Sequence, residues 1–362
     1  MGFYIWLTII CFILAYVSTL LYKNKRVDKK LINIIDFAPY LILIIITGFR
    51  YNVGTDYIGY AQNFLILHTH DIPRVEFTFK LIVKAAYLLG LNQQFVFLVY
   101  ATITYIFIFL SIKYFDQKGE YRHFIILLIL QYVLFNGFNT IRQMVAVSIF
   151  FYSLRFIVNR QFLKYLIFIL IAFLFHKASI ICLVFYFLLK IEIRKIFLIL
   201  IFSPAFLLTD VANKLISYFI SLSGNSWYEI YLTQFNNHTE IAGGKVLFLF
   251  YILAIFFTFT SKRVLYKSEE LIIIKLFIWY LILMFICLTS VIATRILYFP
   301  MVSIILVIPF LTKYFKGKQG LLFIRYSLLL FICLLWITSL TGYKDLFEEN
   351  NILDYSFKIF MN

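Results

Sequence analysis

Long apolar runs, separated by short polar segments, dominate the pattern of this chain. About twelve of these runs approach the ~20 residues that a helix needs to cross a bilayer. They lie at about 3–22, 31–49, 95–112, 123–136, 141–158, 162–176, 177–190, 195–208, 244–260, 271–290, 295–312 and 321–340. The pattern therefore predicts an all-α, polytopic integral membrane protein, in which 1–362 forms a single transmembrane domain.

One apolar segment, at 76–90, departs from this pattern because charges recur along it. Glu76, Lys80 and Lys84 are four residues apart, so they share one face of a helix. Three charges on one face are costly in lipid but suit a helix at the membrane surface. We therefore predict a re-entrant or interfacial helix near 76–90, inside a first large extracytoplasmic loop at 50–94. A second such loop is predicted at 209–243.

The charge balance of the chain is basic, with 33 Lys and Arg residues against 17 Asp and Glu. In a polytopic protein such an excess reports orientation, because cytoplasmic loops are enriched in Lys and Arg. The loop at 23–30 carries five basic residues, which places it in the cytoplasm and the next loop, at 48–60, on the outer face. A crossing at 76–90 would reverse every later loop and put most of their basic residues outside, against this bias.

The composition also excludes several classes of function. The chain is 63% hydrophobic and only 14% charged, so it has no soluble domain with clustered basic residues, and we expect no nucleic-acid partner. The four cysteines lie inside apolar runs, without the spacing of metal ligands. The sequence has no phosphate-binding G-x-x-x-x-G-K-[ST] loop and no H-E-x-x-H motif. We therefore predict no metal and no cofactor, and membrane lipid as the surroundings of the chain.

The stretch at 48–60 ends the second apolar run with residues that are suited to chemistry. Within thirteen residues it offers one arginine, one aspartate, three tyrosines and three glycines, a mixture that hydrocarbon cannot solvate. Arg50 can donate two hydrogen bonds to a phosphate, and Asp56 can accept a proton. The alternative is an interfacial helix end with an aromatic belt and a snorkelling arginine.

Further polar residues map to the same outer side. Asn139, Arg142 and Gln143 share one helix face at the dipole-positive start of the fifth run. His176 lies at the tip of a helical hairpin, and Arg295 begins a later run. Each of them alone could instead have a structural role: the histidine could be a hydrogen-bonded structural residue, and the arginines could anchor the ends of their spans. Because they arrive together on one side, the sequence predicts an anion-binding site there.

Three runs have outer ends that look too short to reach the membrane surface. The runs at 123–136, 162–176 and 177–190 have only about 14 residues each, fewer than a crossing needs. We predict that these helices frame a depression that opens to the outside. The alternative is that the boundaries read from a single sequence are wrong by several residues.

Three short motifs of this chain resemble those of the EpsG family. They are Phe49-Arg50-Tyr51-x-Val53-Gly54-Thr55-Asp56-Tyr57-x-x-Tyr60, Ile141-Arg142-Gln143-x-x-Ala146 and Ala172-Phe173-Leu174-Phe175-His176-Lys177-Ala178-Ser179. We call them the first, second and third motif. The family comprises Wzy-like polysaccharide polymerases of bacterial exopolysaccharide, capsule and O-antigen loci. The resemblance covers about 40–190 well and is fainter at 295–298.

The resemblance implies the architecture of a C-type glycosyltransferase in the bacterial cytoplasmic membrane, with an active site that faces outside. The implied substrates are oligosaccharides linked to undecaprenyl pyrophosphate, and a chain-length regulator protein is a candidate partner. The implied reaction transfers a growing glycan from its lipid pyrophosphate to a sugar hydroxyl of an incoming lipid-linked repeat unit.

The leaving group of this reaction is a pyrophosphate, which gathers negative charge in the transition state. Arginines and helix N-termini aimed at that charge would supply most of the stabilisation. We assign Arg142 and Arg295 to the pyrophosphate, with Arg50 and Lys80 as further candidates. No metal is required, because arginine can take its place.

The acceptor hydroxyl needs a base within about 3 Å. His176 and Asp56 are the two candidates, and we prefer His176 because a hairpin tip is held more rigidly than the loop around Asp56. The aromatic residues that could stack on sugar faces are Tyr57, Tyr60, Trp227 and Tyr228.

Other classes of function remain open from the residues alone. A flippase for lipid-linked oligosaccharides would carry charged residues deep in its spans and often an internal repeat. A membrane O-acyltransferase would also place a histidine in the membrane, but it would need a cytoplasmic route for its acyl donor. A non-catalytic scaffold would not need Arg142 and His176 together.

Overall fold

The structure is a computed structural model of the chain. It describes residues 2–208 except positions 25 and 74, then 267–287, 291–310 and 355–358, and a few single positions between these ranges. The predicted loop at 209–243 and the runs at 244–260 and 321–340 lie largely outside the described residues. Trp227 and Tyr228 lie outside them altogether.

The chain divides into two compact units. The first comprises Met1–Arg155, Leu166–Lys177 and Phe315–Asn362, and the second comprises Phe156–Tyr165 and Ala178–Tyr314. The site described below is built from residues of the first unit alone, so its geometry can be given without reference to the second.

The described part of the chain is almost entirely helical. Its helices, in chain order, are α1 (Gly2–Lys23), α2 (Lys29–Gly48), α3 (Tyr57–Thr69), α4 (Phe77–Leu88), α5 (Gln93–Phe115), α6 (Arg122–Ile129), α7 (Phe135–Asn139), α8 (Ile141–Val158), α9 (Phe162–Phe175), α10 (Phe185–Leu188), α11 (Ile193–Phe202), α12 (Ser268–Cys287), α13 (Val291–Met301) and α14 (Ile304–Phe310). A π-helical turn, Leu130–Leu134, joins α6 to α7, and 3-10 helices occupy Lys177–Val184 and Ser203–Leu208.

Five of the helices in these ranges are long and apolar enough to cross a membrane. They are α1, α2, α5, α8 and α12, with 18 to 23 residues each. Together with the shorter apolar helices, they confirm the prediction of an α-helical, multi-pass membrane protein. The count of about twelve spans stays a prediction.

The charged segment at 76–90 forms the short helix α4. With 12 residues this helix is about 18 Å long, whereas the hydrocarbon core of a bilayer is about 30 Å thick. One face, which includes Phe79 and Val83, is buried, and α4 packs against α3 and α5. The opposite face exposes Phe77 and Leu81. The placement of α4 at the membrane surface stays a prediction.

The prediction of a short helix at 123–136 is wrong. The helical path continues from α6 through the π-helical turn and α7 to Asn139. Asn136 and Gly137, which end the apolar run in the sequence, lie inside α7, and Asn136 Nδ2 donates a hydrogen bond to the Tyr132 carbonyl at 2.7 Å. The helix tolerates Asn136 because its side chain bonds to the backbone of the preceding turn.

A buried ion cluster joins the helices α1 and α2 to the end of α5 and the start of α6. Oδ1 of Asp36, in α2, accepts a hydrogen bond from Ser18 (2.9 Å), and Oδ2 accepts one from Tyr22 (3.0 Å). The same Oδ1 lies 3.0 Å from Nε of Arg122, and Asp116 lies 3.8 Å from Nη1 of Arg122. All three charged side chains are buried. Asp36 lies inside the apolar helix α2, where its charge is neutralised by Arg122.

In the second unit, α12 packs against α11, α13 and α14. The side chain of Lys275 is buried, and its Nζ donates to the Leu189 carbonyl at 3.1 Å. Trp279 Nε1 donates to the Leu188 carbonyl at 3.3 Å. The Lys275 bond gives the Leu189 carbonyl a partner at the end of α10. The Trp279 bond adds a second donor to the Leu188 carbonyl, which also accepts from the Ile191 backbone N–H.

Two very short strands complete the first unit. β1 (Arg50–Tyr51) follows α2 and pairs antiparallel with β2 (Ser356–Phe357). The Tyr355 hydroxyl donates to the Ile46 carbonyl at 2.6 Å, next to the pair. The strands therefore fasten a distant part of the chain to the first motif.

Candidate functional site

Arg50 anchors the first motif from inside the protein. Its side chain has no exposed surface. Nη1 donates to the carbonyls of Thr47 (3.3 Å) and Gly137 (3.2 Å), and Nη2 donates to that of Phe138 (2.8 Å). The guanidinium carbon also lies 4.6 Å from the centre of the Phe97 ring. Burial lowers the pKa of Arg50 to about 10, so the group stays charged at neutral pH and is held by carbonyl dipoles.

The loop after Arg50 lies directly against the end of α7. Gly54 has φ +97°, and a Cβ added there would lie 2.7 Å from the Phe138 carbonyl oxygen. Only glycine combines this backbone conformation with so close an approach. The Thr55 backbone N–H donates to Asn139 Oδ1 at 2.9 Å. The first motif is thus fixed beside the start of α8, which carries Arg142.

The tyrosines of the first motif are packed inward. Gln94 Nε2 donates to the Arg50 carbonyl and to the Tyr57 hydroxyl, both at 2.9 Å. The Tyr57 ring stacks on Phe97 with 5.0 Å between centroids. Tyr57 and Tyr60 are both buried, so neither presents an open ring face in this structure.

Glu76 connects the second motif to the third. Its Oε2 accepts a hydrogen bond from Nη1 of Arg142, and its Oε1 lies 3.4 Å from Nδ1 of His176. Glu76 immediately precedes α4, and His176 immediately follows α9. Thr78 Oγ1 donates to the Leu174 carbonyl at 2.8 Å, which holds the start of α4 against the end of α9. We call Glu76, Arg142 and His176 the polar trio.

The polar trio is partly accessible. The side chain of Glu76 is 9% exposed, that of His176 is 15% exposed and that of Arg142 is 25% exposed. Burial raises the pKa of Glu76, but His176 and Arg142 together lower it by more, so its pKa lies below the ordinary value and the carboxyl is ionised at neutral pH. Both ring nitrogens of His176 are buried, and neither has a hydrogen-bond partner within the described residues; Nδ1 meets Glu76 as an ion-pair contact at 3.4 Å.

Aromatic rings confine the guanidinium of Arg142. Its central carbon lies 5.6 Å from the ring centre of Tyr60 and 5.8 Å from that of Phe79. Both distances are within the range of cation–π attraction. Arg142 also lies in the first turn of α8, where the helix dipole favours negative charge. Arg142 is therefore held in place, with a quarter of its side chain open to a ligand.

The other predicted site residues are spread more widely. Asp56 is exposed just before α3, where the Thr55 hydroxyl lies 3.4 Å from its Oδ1. Lys80 forms an ion pair with Asp71 at 2.6 Å. Arg295 is exposed on α13, in the second unit. Of the residues that the sequence assigned to chemistry, the structure brings Arg142 and His176 together.

Glu76 is a site residue that the sequence pattern does not point to. Its charge on one face of an apolar helix indicates only that the segment stays out of the membrane. A contact between residues 66 positions apart, such as that of Glu76 with Arg142, follows from tertiary packing and leaves no mark in local spacing.

The arrangement can supply a proton acceptor and a cationic group within one site. A histidine whose Nδ1 lies 3.4 Å from a carboxylate, and whose Nε2 is buried without a hydrogen-bond partner in the described part of the chain, can act as a general base once a substrate reaches Nε2. A confined arginine at a helix N-terminus suits an anionic group. Among the described residues, no group of His, Cys, Asp and Glu is placed to hold a metal ion.

Comparison with known proteins agrees with the three motifs. The model of the EpsG family matches residues 33–357, a range that contains all three motifs and Glu76. No curated protein and no solved structure matches the chain. Because the match spans most of the sequence, the predicted resemblance is confirmed, and the chain belongs to the EpsG family of Wzy-like polysaccharide polymerases.

Proposed function

We propose that this chain is a polysaccharide polymerase that extends a glycan on a lipid carrier at the outer face of the bacterial cytoplasmic membrane. The donor is a growing glycan on undecaprenyl pyrophosphate, and the acceptor is a sugar hydroxyl of an incoming lipid-linked repeat unit. The observation that carries the proposal is the polar trio, which joins His176 to Arg142 through Glu76 in a chain of this family.

In this reaction His176 removes the proton of the acceptor hydroxyl. The oxygen of that hydroxyl then forms the new bond to the anomeric carbon of the donor sugar, while the bond from that carbon to the pyrophosphate oxygen breaks. Nε2 is the atom of His176 that can receive the proton, because Nδ1 lies against Glu76. Asp56, exposed at the start of α3, stays the alternative base.

Arg142 stabilises the departing pyrophosphate. Its guanidinium is bonded to Glu76 and interacts with the Tyr60 hydroxyl, which leaves the remaining N–H groups to donate to an anion. Arg295 stays a second candidate. Lys80 forms an ion pair with Asp71, so it would bind the pyrophosphate only after this ion pair breaks. We leave Arg50 out of the anion site, because its guanidinium is buried and donates to backbone carbonyls.

Aromatic residues are the candidates for the sugar contacts. Tyr57 and Tyr60 are buried, and the Tyr60 ring lies 5.6 Å from the guanidinium carbon of Arg142. We therefore expect them to shape the site, while Trp227 and Tyr228 stay the candidates for stacking on sugar rings. A chain-length regulator protein stays a candidate partner.

Polymerisation of a purified lipid-linked repeat unit by the purified protein tests the proposal. Loss of a general base costs about 10²- to 10⁴-fold in rate, so we expect that loss for His176→Ala and a smaller one for Asp56→Asn. Arg142→Lys keeps the charge but loses the planar fork, so it should also be strongly impaired. Arg194→Lys, at an exposed arginine, is the matched control.

The outcome of that assay separates the two bases. If Asp56→Asn abolishes turnover while His176→Ala keeps most of it, the roles of the two residues are reversed. If Arg142→Lys makes polymer of normal length at a normal protein level, Arg142 is only an anchor.

The orientation has its own test. An impermeant thiol reagent should label a cysteine at exposed Thr55 in intact cells, and not one at exposed Asn24. The reverse labelling pattern would place the site in the cytoplasm and contradict the proposed substrates.

A further inference from the structure

Glu76 is the one carboxylate of the polar trio, and both of its oxygens are engaged. Oε2 is bonded to Arg142 and Oε1 contacts His176. The residue stands just before α4, at the N-cap position, where a side-chain oxygen can accept a hydrogen bond from a backbone N–H group of the first turn. Here the side chain makes no such bond. Its position is therefore explained by the two cationic or basic neighbours rather than by capping.

We propose that Glu76 is a positioning residue that orients His176 for proton removal and couples this step to Arg142. This inference rests on the proposed function, because it takes His176 as the base. A carboxylate against Nδ1 selects the tautomer with the proton on Nδ1, which leaves Nε2 as the proton acceptor. The carboxylate also stabilises the imidazolium that forms when Nε2 takes the proton.

The charges of the trio explain the coupling. With His176 neutral, Glu76 and Arg142 sum to zero charge, which is a weak attraction for an anion. When His176 takes a proton, the trio becomes net positive. The leaving pyrophosphate gains negative charge in the same step, so the site becomes most favourable to an anion at the moment when the anion forms.

Glu76 itself is a poorer candidate for the base. Its side chain is the least exposed of the trio, and neither oxygen is without a neighbour. The other charged or titratable groups near it are Tyr60 and Tyr100, which are buried, and Lys80, one turn along α4, which pairs with Asp71. None of these would replace Glu76 at Nδ1 of His176.

A double-mutant cycle in the polymerisation assay tests the inference. Glu76→Gln keeps the shape but removes the charge. A misplacement of about 1 Å costs about 100-fold in rate, so we expect a loss of about that size in kcat with little change in KM. In the His176→Ala background, Glu76→Gln should cause no further loss, because the group it positions is gone.

Two further variants control for folding. Glu76→Asp keeps the charge that pairs with Arg142 but shortens the reach to His176, so it should fold and still lose at least about 10-fold in kcat. Glu192→Gln is the matched control, because Glu192 is also a glutamate just before a helix, makes no capping bond and is exposed. It should keep the parental rate and melting temperature.

The outcomes distinguish this inference from the proposed function. If His176→Ala is inactive while folded Glu76→Gln or Glu76→Asp keeps kcat within about threefold, the inference is overturned and the proposed base stands. Losses that multiply in the double variant would also overturn it, because Glu76 would then act independently of His176. If His176→Ala keeps its activity, the proposed base itself fails.

Discussion

The sharpest structural prediction concerns Arg50, which the sequence suggested as a pyrophosphate ligand and the structure encloses. Its guanidinium donates to the carbonyls of Gly137 and Phe138 and lies over the Phe97 ring. Arg50→Met removes the charge and these bonds while it keeps much of the apolar volume. Arg50→Lys keeps the charge but loses the planar fork that reaches several carbonyls at once.

The magnitude follows from what each variant leaves behind. A buried carbonyl without a partner costs about 1–3 kcal/mol. Three backbone carbonyls lose the Arg50 donor in Arg50→Met. The lost cation–π contact adds about 1 kcal/mol. The parent protein also bears the desolvation cost of a buried charge that has no carboxylate partner. Arg50→Met removes this cost, which offsets part of the destabilisation. We expect a net destabilisation of about 3 kcal/mol for Arg50→Met and about 1–2 kcal/mol for Arg50→Lys.

Melting of the purified protein in detergent, together with the polymerisation assay, measures both effects. The melting temperature should fall by about 5 °C or more for Arg50→Met and by less for Arg50→Lys. Arg26→Met, at an exposed arginine, should leave it unchanged. A variant of Arg50 that melts like the parent but has lost turnover would refute the argument, because Arg50 would then contact substrate rather than hold the loop.

Three other predictions concern buried groups of the same unit. Arg122→Met leaves two buried carboxylates without their cation, which costs about 3–5 kcal/mol, so this variant should not accumulate as folded protein under conditions in which Arg26→Met does. Gly54→Ala would press its Cβ against the Phe138 carbonyl oxygen at φ +97°, so its melting temperature should fall measurably; an unchanged value would mean that the loop can relax. The lowered pKa of Glu76 means that its carboxylate stabilises the folded chain above the ordinary pKa of 4.5 and that this contribution is lost as the pH falls through the lowered value. Melting temperatures between about pH 7 and pH 3 should therefore fall less steeply for Glu76→Gln than for the parent, and equal slopes would contradict the charge assigned to Glu76.

The sequence was informative about residue types and poor at placing side chains. It singled out Arg142 and His176, and the structure brings them to one site because α8 begins and α9 ends there. The sequence also indicated Arg50 as a pyrophosphate ligand, because an arginine at a span end has the same local pattern whether its side chain faces solvent or the core. The direction of Arg50 depends on α7, whose end supplies the carbonyls, and that contact spans almost 90 positions.

The sequence predicted which segments of the described chain are helical better than it predicted where each helix ends. The run at 123–136 continues to Asn139 because Asn136 and Thr140 bond to the backbone of the preceding turn, which lets the helix keep polar residues. The run at 177–190 is a 3-10 helix over Lys177–Val184, a tighter form that the hydrophobic pattern alone does not distinguish from an α-helix.

The two charge clusters of the first unit show why only one of them is a candidate site. Both pair an arginine with a carboxylate, Arg122 with Asp36 and Arg142 with Glu76, at opposite ends of the path that runs through α6 and α7 into α8. The side chains of the first pair are each 2% exposed, and their partners close the cluster. An ion pair without access to a ligand can only hold helices together. The second pair leaves a quarter of the arginine open and adds a histidine that is 15% exposed and whose ring nitrogens have no hydrogen-bond partner in the described part of the chain. The chemistry of the residues is nearly the same at both ends, so it is accessibility and the added base that assign a reaction to the end that contains Glu76.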